Sequence, residues 1–393
     1  MHTLLDALRA QADEFTALRR DIHRHPELGF QEFRTSDLVA ERLAQWGYAV
    51  ERGFGGTGLV AQLRRGSGSK RLGLRADMDA LPIVEATGLP HASCHAGVMH
   101  ACGHDGHTAM LLAAARHLAE KGRFSGTLNL IFQPAEEGLG GAKKMMEDGL
   151  FLRYPCDAIF AMHNMPGQPA GHLLLRDGAA MASSDYVTIT LEGIGGHGAM
   201  PHRAADPVVA GAAIVMGLQS IVSRNIDPLQ MAVITVGAFN AGQANNVIPQ
   251  TATLQLSVRA LDREVRAMLE RRITELAQAQ AQSYGVRAQI DYRRGYPVLV
   301  NTREETEFAR EVALELVGAD RVTLHAAPLT GSEDFAFMLE QVPGSYLLIG
   351  NGDGESDGHG ACMVHNPGYD FNDHNLPIGA AYWALLAERF LVD

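Results

Sequence analysis

Chemistry gathers first in the segment 91–107, which holds five histidines and two cysteines. Its centre, HACGHDGH at 100–107, sets Cys102 and His104 two apart around Gly103. That spacing on a loop aims a thiolate and an imidazole at one ion, and both are good ligands for zinc-like metals. A polar loop with surface histidines is the alternative, but so dense a His/Cys cluster is rare by chance. Two residues do not make a site, and further candidates stand just past apolar runs. The run RLGLRAD at 71–77 ends at Asp77, with Asp79 beyond it. TLNLIF at 127–132 leads into Glu136-Glu137, and DAIFAM at 157–162 ends at His163. Polar groups at the C-terminal ends of strands are where open α/β sheets place ligands and active sites. Adjacent carboxylates point apart, so one of Glu136 and Glu137 can bind metal while the other acts as general base. An acidic first helical turn is the competing reading for that pair.

Three more segments carry candidates. His365-Asn366-Pro367 echoes His163-Asn164-Met165-Pro166, and a rigid turn after each histidine would fix its ring. In GGHGAMPH at 195–202, His197 between glycines is closely approachable and can donate to a developing oxyanion. An ordinary loop histidine stays open there. Asn246 and Arg259 could hold a substrate carboxylate, since arginine forks to carboxylates bidentately; a surface ion pair is the alternative for Arg259. Two matches to GxGxxG, at 53–58 and 193–198, lack the strand-to-helix context of a dinucleotide site. Ser332 in TGSEDF lacks the GxSxG elbow of a serine hydrolase.

The elements that must position these groups follow from periodicity. Leu4, Leu5, Leu8, Phe15 and Leu18 lie on one helical face, and helices are expected near 36–46, 107–120 and 141–148, with strands at 58–63, 71–77, 127–132 and 158–162. Strands alternating with helices predict an α/β domain with a mixed sheet flanked by helices. After about residue 183 the rhythm changes to strict alternation at 185–192, 251–259 and 286–292, with a strand at 231–236 and long helices near 206–223 and 262–283. That pattern predicts an inserted α+β unit with an antiparallel sheet. From about 295 the α/β character resumes, with helices near 303–316, 333–340 and 379–390 and a strand at 346–349. The expected organisation is therefore a discontinuous domain, 1–182 and 296–393, interrupted by an insert at 183–295.

The 393 residues carry 33 basic and 45 acidic side chains, a formal charge of −12 that argues against a nucleic-acid surface. No segment reads as a membrane span. Asp6, Arg9 and Asp13 stand where a signal peptide needs an apolar run, so a cytoplasmic protein is expected. Four irregularly spaced cysteines do not form a disulfide framework.

DIHRHPELGFQE (21–32), LRADMDALPI (74–83), MHACGHDGH (99–107), FQPAEEGLGGA (132–142), AMHNMPGQPAG (161–171), GGHGAMPH (195–202), NVIPQTA (246–252), TGSEDFAFM (330–338) and HNPGYDFND (365–373) together resemble the aminoacylase/carboxypeptidase family of metallopeptidases. The resemblance spans nearly the whole chain and is nearest to the branch of hippurate hydrolases, N-acyl-amino-acid amidohydrolases and indoleacetyl-amino-acid hydrolases. It implies a catalytic α/β domain with an inserted lid, and assembly as a homodimer or homotetramer through that lid. It implies two divalent ions per subunit (manganese, zinc, cobalt or nickel) held by Cys102, His104, Glu137, His163 and His365. Glu136 would be the general base, Asp77 would orient a ligand, His197 would stabilise the oxyanion, and Asn246 and Arg259 would hold substrate. Where related carboxypeptidases bridge the metals with aspartate, this chain has Cys102. The implied reaction is metal-dependent hydrolysis of a small-molecule N-acyl amino acid to a carboxylic acid and an amino acid. A metallo-dipeptidase or carboxypeptidase is the alternative, and a non-catalytic metal-dependent ligand-binding protein the distant one.

Overall fold

The structure, a computed structural model, describes residues 3–355 and 360–392. The chain divides into two compact units. The first runs through Gly178 and takes in Val300–Ala327 and the chain from Asp334 onward. The second comprises Ala179–Leu299 and returns for Pro328–Glu333.

The first unit is built on an eight-stranded mixed sheet. In spatial order its strands are Ala49–Phe54, Gly58–Arg65, Gly126–Gln133, Arg71–Asp77, Ala158–Pro166, Gly344–Gly352, Leu173–Leu174 and Val322–Thr323. Arg71–Asp77 pairs in parallel with both Gly126–Gln133 and Ala158–Pro166, and the latter in parallel with Gly344–Gly352. Every residue of Gly126–Gln133 is buried, which explains its continuous apolar run. Parallel strands need a crossover, and the helix His104–Glu120 supplies one between Arg71–Asp77 and Gly126–Gln133. This helix is buried nearly all round, packed by Leu376–Phe390 and Ala12–Arg24. Because the central strands are parallel, their C-terminal ends share one edge, where Asp77 stands opposite Gln133. The polar ends read from the sequence therefore lie together for a topological reason.

The N-terminal helix differs from its expected continuous form. It is broken into Thr3–Arg9 and Ala12–Arg24, and the apolar spacing hides the break because Leu8 and Phe15 are both buried across it. The helix expected at 107–120 starts at His104, the one at 379–390 starts at Leu376, and the one at 333–340 is the five-residue Phe335–Leu339.

The second unit carries a four-stranded antiparallel sheet in the order Ala232–Ala241, Thr251–Ala260, Asp185–Glu192, Arg287–Arg294. Val187, Ile189 and Leu191 alternate inward and meet Ile214, Leu218 and Ile221 of the helix Pro207–Asn225 and Leu269 and Ile273 of the helix Arg263–Ser283. Asp206 and Asp262 cap these helices: Asp206 accepts from Val208 N, and Asp262 from Glu264 N and Val265 N. Among the described residues Pro207–Asn225 alone is long and apolar enough to cross a membrane, and its apolarity is accounted for in part by the face it packs on the sheet.

Candidate metal centre

Six side chains from four segments of the first unit converge at the sheet edge. Their ligand atoms fall into three overlapping groups, each within 4.8 Å: Cys102, His104 and His163; Cys102, Glu137 and His365; His104, Glu136 and Glu137. These are the five expected metal ligands and the expected base. Cys102 Sγ lies 3.3 Å from His163 Nε2, and His365 Nε2 lies 3.2 Å from Glu137 Oε1. His104 Nε2 is 4.0 Å from the same Glu137 oxygen.

Local backbone geometry explains how close neighbours in sequence can face one centre. Gly103, between Cys102 and His104, has φ +86°, and a Cβ there would stand 2.4 Å from both Asn164 Nδ2 and Tyr369 Oη. Only glycine turns the chain this way in that space. Ala135 and His365 are two of the three non-glycine residues at positive φ among those described, at 53° and 64°. Such strain persists where surroundings over-determine it. Glu32 Oε1 accepts from Ala135 N at 2.8 Å, and His365 N donates to Ala101 O at 2.7 Å. The first bond fixes the chain entering Glu136-Glu137 and the second fixes the entry to His365.

The residues present fit a metal. His104 Nε2 and Glu137 Oε1 are buried with no aligned hydrogen bond among the described residues; the 3.2 Å approach of His365 to that oxygen is an ion-pair contact. Both atoms are electron-pair donors aimed into the cluster. Charge points the same way. Burial, with the Glu137, Glu136 and Asp77 carboxylates, pushes the Cys102 thiol well above its ordinary range. Burial lowers the His104 pKa, but Asp77, Asp79 and Glu137 outweigh it and raise it to about 10. A centre that draws protons this strongly is a centre for a cation. His163 goes the other way: burial and nearby His107 hold it neutral, and its Nδ1 donates to Asn164 O at 2.6 Å, leaving the Nε2 lone pair toward Cys102.

A second layer of buried polar groups supports the first. Asp77 Oδ1 meets His107 Nδ1 at 2.7 Å, and its Oδ2 accepts from Arg75 Nη1 at 2.7 Å. Asp77 Oδ2 is 3.8 Å from His104 Nε2. Burial raises the Asp77 pKa, but His104, Arg75 and His107 together hold it well below the usual carboxylate range. His107 Nε2 accepts from Asn164 N at 3.0 Å, and the Asn164 amide donates to Cys102 O at 2.6 Å. Asp77 thus acts on the cluster through His107 and Asn164, which sequence reading missed although His107 stands in the same HACGHDGH run. Glu136 Oε1 accepts from Asp334 N at 3.4 Å. The Asp334 carboxylate in turn accepts from Gln133, Arg75 and Ala142 N.

Residues 73–389 match peptidase family M20/M25/M40. The chain belongs to this family. Hippurate hydrolase from Campylobacter jejuni is 48% identical over 378 residues, covering 96% of this chain and 97% of that one. N-acetyl-L-cysteine deacetylase from Bacillus subtilis is 38% identical, covering 97% and 88%. A crystal structure of a dinuclear metal-binding peptidase of family M20 from B. subtilis superposes with a TM-score of 0.84 at 33% identity, over 98% of this chain and 99% of that one. This M20 chain is a metal-dependent amide hydrolase of the amidohydrolase branch.

The remaining expected residues of this M20 enzyme lie in its second unit. Gly196–His197 pairs with Val247–Ile248 in a two-stranded ribbon, and Asn246 O accepts from Gly198 N at 2.8 Å, so His197 and Asn246, both exposed, lie at the same end of that ribbon. His197 Nδ1 accepts from Ala199 N at 3.1 Å. In the neutral ring the proton then sits on Nε2, which is a donor. Arg259, half-buried on Thr251–Ala260, donates from Nη1 to Ser332 Oγ at 2.9 Å. Ser332 is thereby accounted for as an arginine partner.

Proposed function

We propose that this chain hydrolyses N-acyl amino acids of the hippurate type, adding water across the amide bond to give a carboxylic acid and a free amino acid. The convergence of Cys102, His104, Glu137, His163 and His365 beside Glu136 carries this reading, and the 48% identity to a hippurate hydrolase supports its substrate class. The five side chains would hold two divalent ions, manganese, zinc, cobalt or nickel. When bound, such ions supply Lewis acidity and lower the pKa of water.

Glu136 takes the proton of the attacking water and returns it to the leaving nitrogen. Its bond from Asp334 N keeps the carboxylate aimed while it carries that proton. His197 donates from Nε2 to the oxyanion that develops on the acyl oxygen. Arg259 and Asn246 hold the carboxylate of the amino acid, with Ser332 fixing the guanidinium. The second unit would serve as lid and as the surface of a homodimer or homotetramer. The four cysteines, none in a disulfide, support a reducing, cytoplasmic setting.

The test is release of free amine from metal-loaded protein given N-benzoyl, N-acetyl and indoleacetyl amino acids beside plain dipeptides. Release mainly from benzoylglycine and other acylated substrates is expected. Release mainly from dipeptides would replace this reading with a peptidase.

A further inference from the structure

A buried guanidinium that the proposed reaction does not use joins the N-terminal helix to two sides of the cluster. Arg19, on Ala12–Arg24, is wholly buried and stands among three carboxylates distant from it in sequence. Its Nε donates to Asp373 Oδ1 at 2.8 Å, and its Nη1 donates to Asp370 Oδ1 at 2.8 Å and to Asp105 Oδ2 at 3.3 Å. Asp105 follows His104 at the start of a helix buried nearly all round. Asp370 and Asp373 close the segment 365–373 that begins with His365.

We propose that Arg19 is a positioning residue that docks the segment 365–373 against the start of the helix His104–Glu120, and so sets how tightly the His365 side of the cluster holds its ion. This rests on the metal-dependent reading above. His365 needs such a hold: its side chain is 52% exposed, and its backbone lies at φ +64°, a conformation that persists only where surroundings impose it. The bond from His365 N to Ala101 O fixes one end of the segment. Tyr369 Oη, donating to Asn164 Oδ1 at 2.8 Å, fixes its middle. Arg19 fixes the far end, because a planar guanidinium offers donors in several fixed directions at once. Its removal acts unevenly. Asp105 Oδ2 keeps His23 Nδ1 at 2.9 Å, and Asp373 Oδ2 keeps Arg20 Nε at 2.9 Å. The Asp370 carboxylate keeps only His91 Nε2, at 3.3 Å, among the described residues. Carboxylates that lose a shared buried cation repel one another, and the half-exposed segment gives way before the packed helix does. His365 belongs to one of the three ligand groups, with Cys102 and Glu137, and the other two do without it. The loss therefore falls on one ion and spares the other.

Stepwise titration of metal-stripped protein with cobalt(II), in competition with a chromophoric chelator, counts the ions separately and needs no turnover. Arg19→Met is expected to hold one ion as tightly as wild type and the other about 10–100-fold more weakly, the usual cost of losing a group behind a metal ligand. Hydrogen exchange of the metal-free proteins should be faster in 365–373 and unchanged in the helix His104–Glu120, a pattern that a general loss of stability would not give. Should Arg19→Met fail to fold, Asp370→Ala removes the segment's carboxylate while Arg19 keeps Asp105 and Asp373, and it should weaken the same ion about tenfold. Equal weakening of both ions, or both ions held as in wild type, would overturn the proposal while leaving the metal-dependent function standing. A wild-type protein that binds no divalent ion would instead overturn that function, and this inference with it.

Discussion

Glu32 gives a prediction whose sign runs against the usual behaviour of a carboxylate. It is wholly buried at the start of the helix Phe33–Gln45, where the Thr57 hydroxyl donates to Oε2 and Ala135 N to Oε1. Burial pushes its pKa from 4.5 up to about 7, against the pull of those two donors. Between those values the folded state binds more protons than the unfolded state, so stability falls as pH rises through the interval. Below pH 4.5 the contribution is complete, and above pH 7 the loss is complete. The shift corresponds to about 3 kcal/mol. Glu32→Gln mimics the protonated acid: its oxygen accepts from Ala135 N and its amide donates to Thr57 Oγ1. The variant should match wild type near pH 4.5 and exceed it by up to about 3 kcal/mol at pH 8. Urea unfolding followed by tryptophan fluorescence reads the first unit, because Trp46 and Trp383 both lie there. A Glu32→Gln protein less stable than wild type at pH 8, or a difference independent of pH, would refute the argument and mean that Glu32 is ionised and well solvated by its donors.

Two further outcomes follow from single atoms. Gly103→Ala forces an alanine to φ +86° and a methyl to within 2.4 Å of Asn164 and Tyr369, costing about 3 kcal/mol in thermal unfolding and weakening metal binding by displacing Cys102 and His104. Wild-type stability there would mean the turn is not needed. His197→Ala removes the Nε2 donor and should lower kcat about 10²–10³-fold with metal content unchanged. An unaltered kcat would take His197 out of the oxyanion role.

Much of this was legible because parallel strands share an edge. Apolar runs ending at Asp77, at Glu136-Glu137 after Gln133, and at His163 could be placed together before any coordinates, and His365 followed from its echo of the His163 turn. What stayed hidden depends on three-dimensional partners. Asp79 and Asp77 look equivalent in DMDA, and only packing assigns one to His104 and the other to His107. The edge strand Ala49–Phe54 buries only Phe54 and lacks an apolar signal. Leu173–Leu174 is too short for any periodicity. His104 opens a helix where a loop was expected, because Gly103 in the left-handed region starts that helix three residues early.

The central claim is that a divalent centre held by Cys102, His104, Glu137, His163 and His365 hydrolyses an acyl amide with Glu136 moving the proton. The measurement that tests it most directly is a titration of metal-stripped protein with manganese, following bound ion and benzoylglycine hydrolysis together, for wild type and Glu136→Gln. The account predicts wild-type activity that rises with bound metal to a plateau. It predicts a variant that binds the same metal while turning over about 10²–10⁴-fold more slowly. Hydrolysis by the stripped protein, or undiminished turnover by Glu136→Gln, would contradict it.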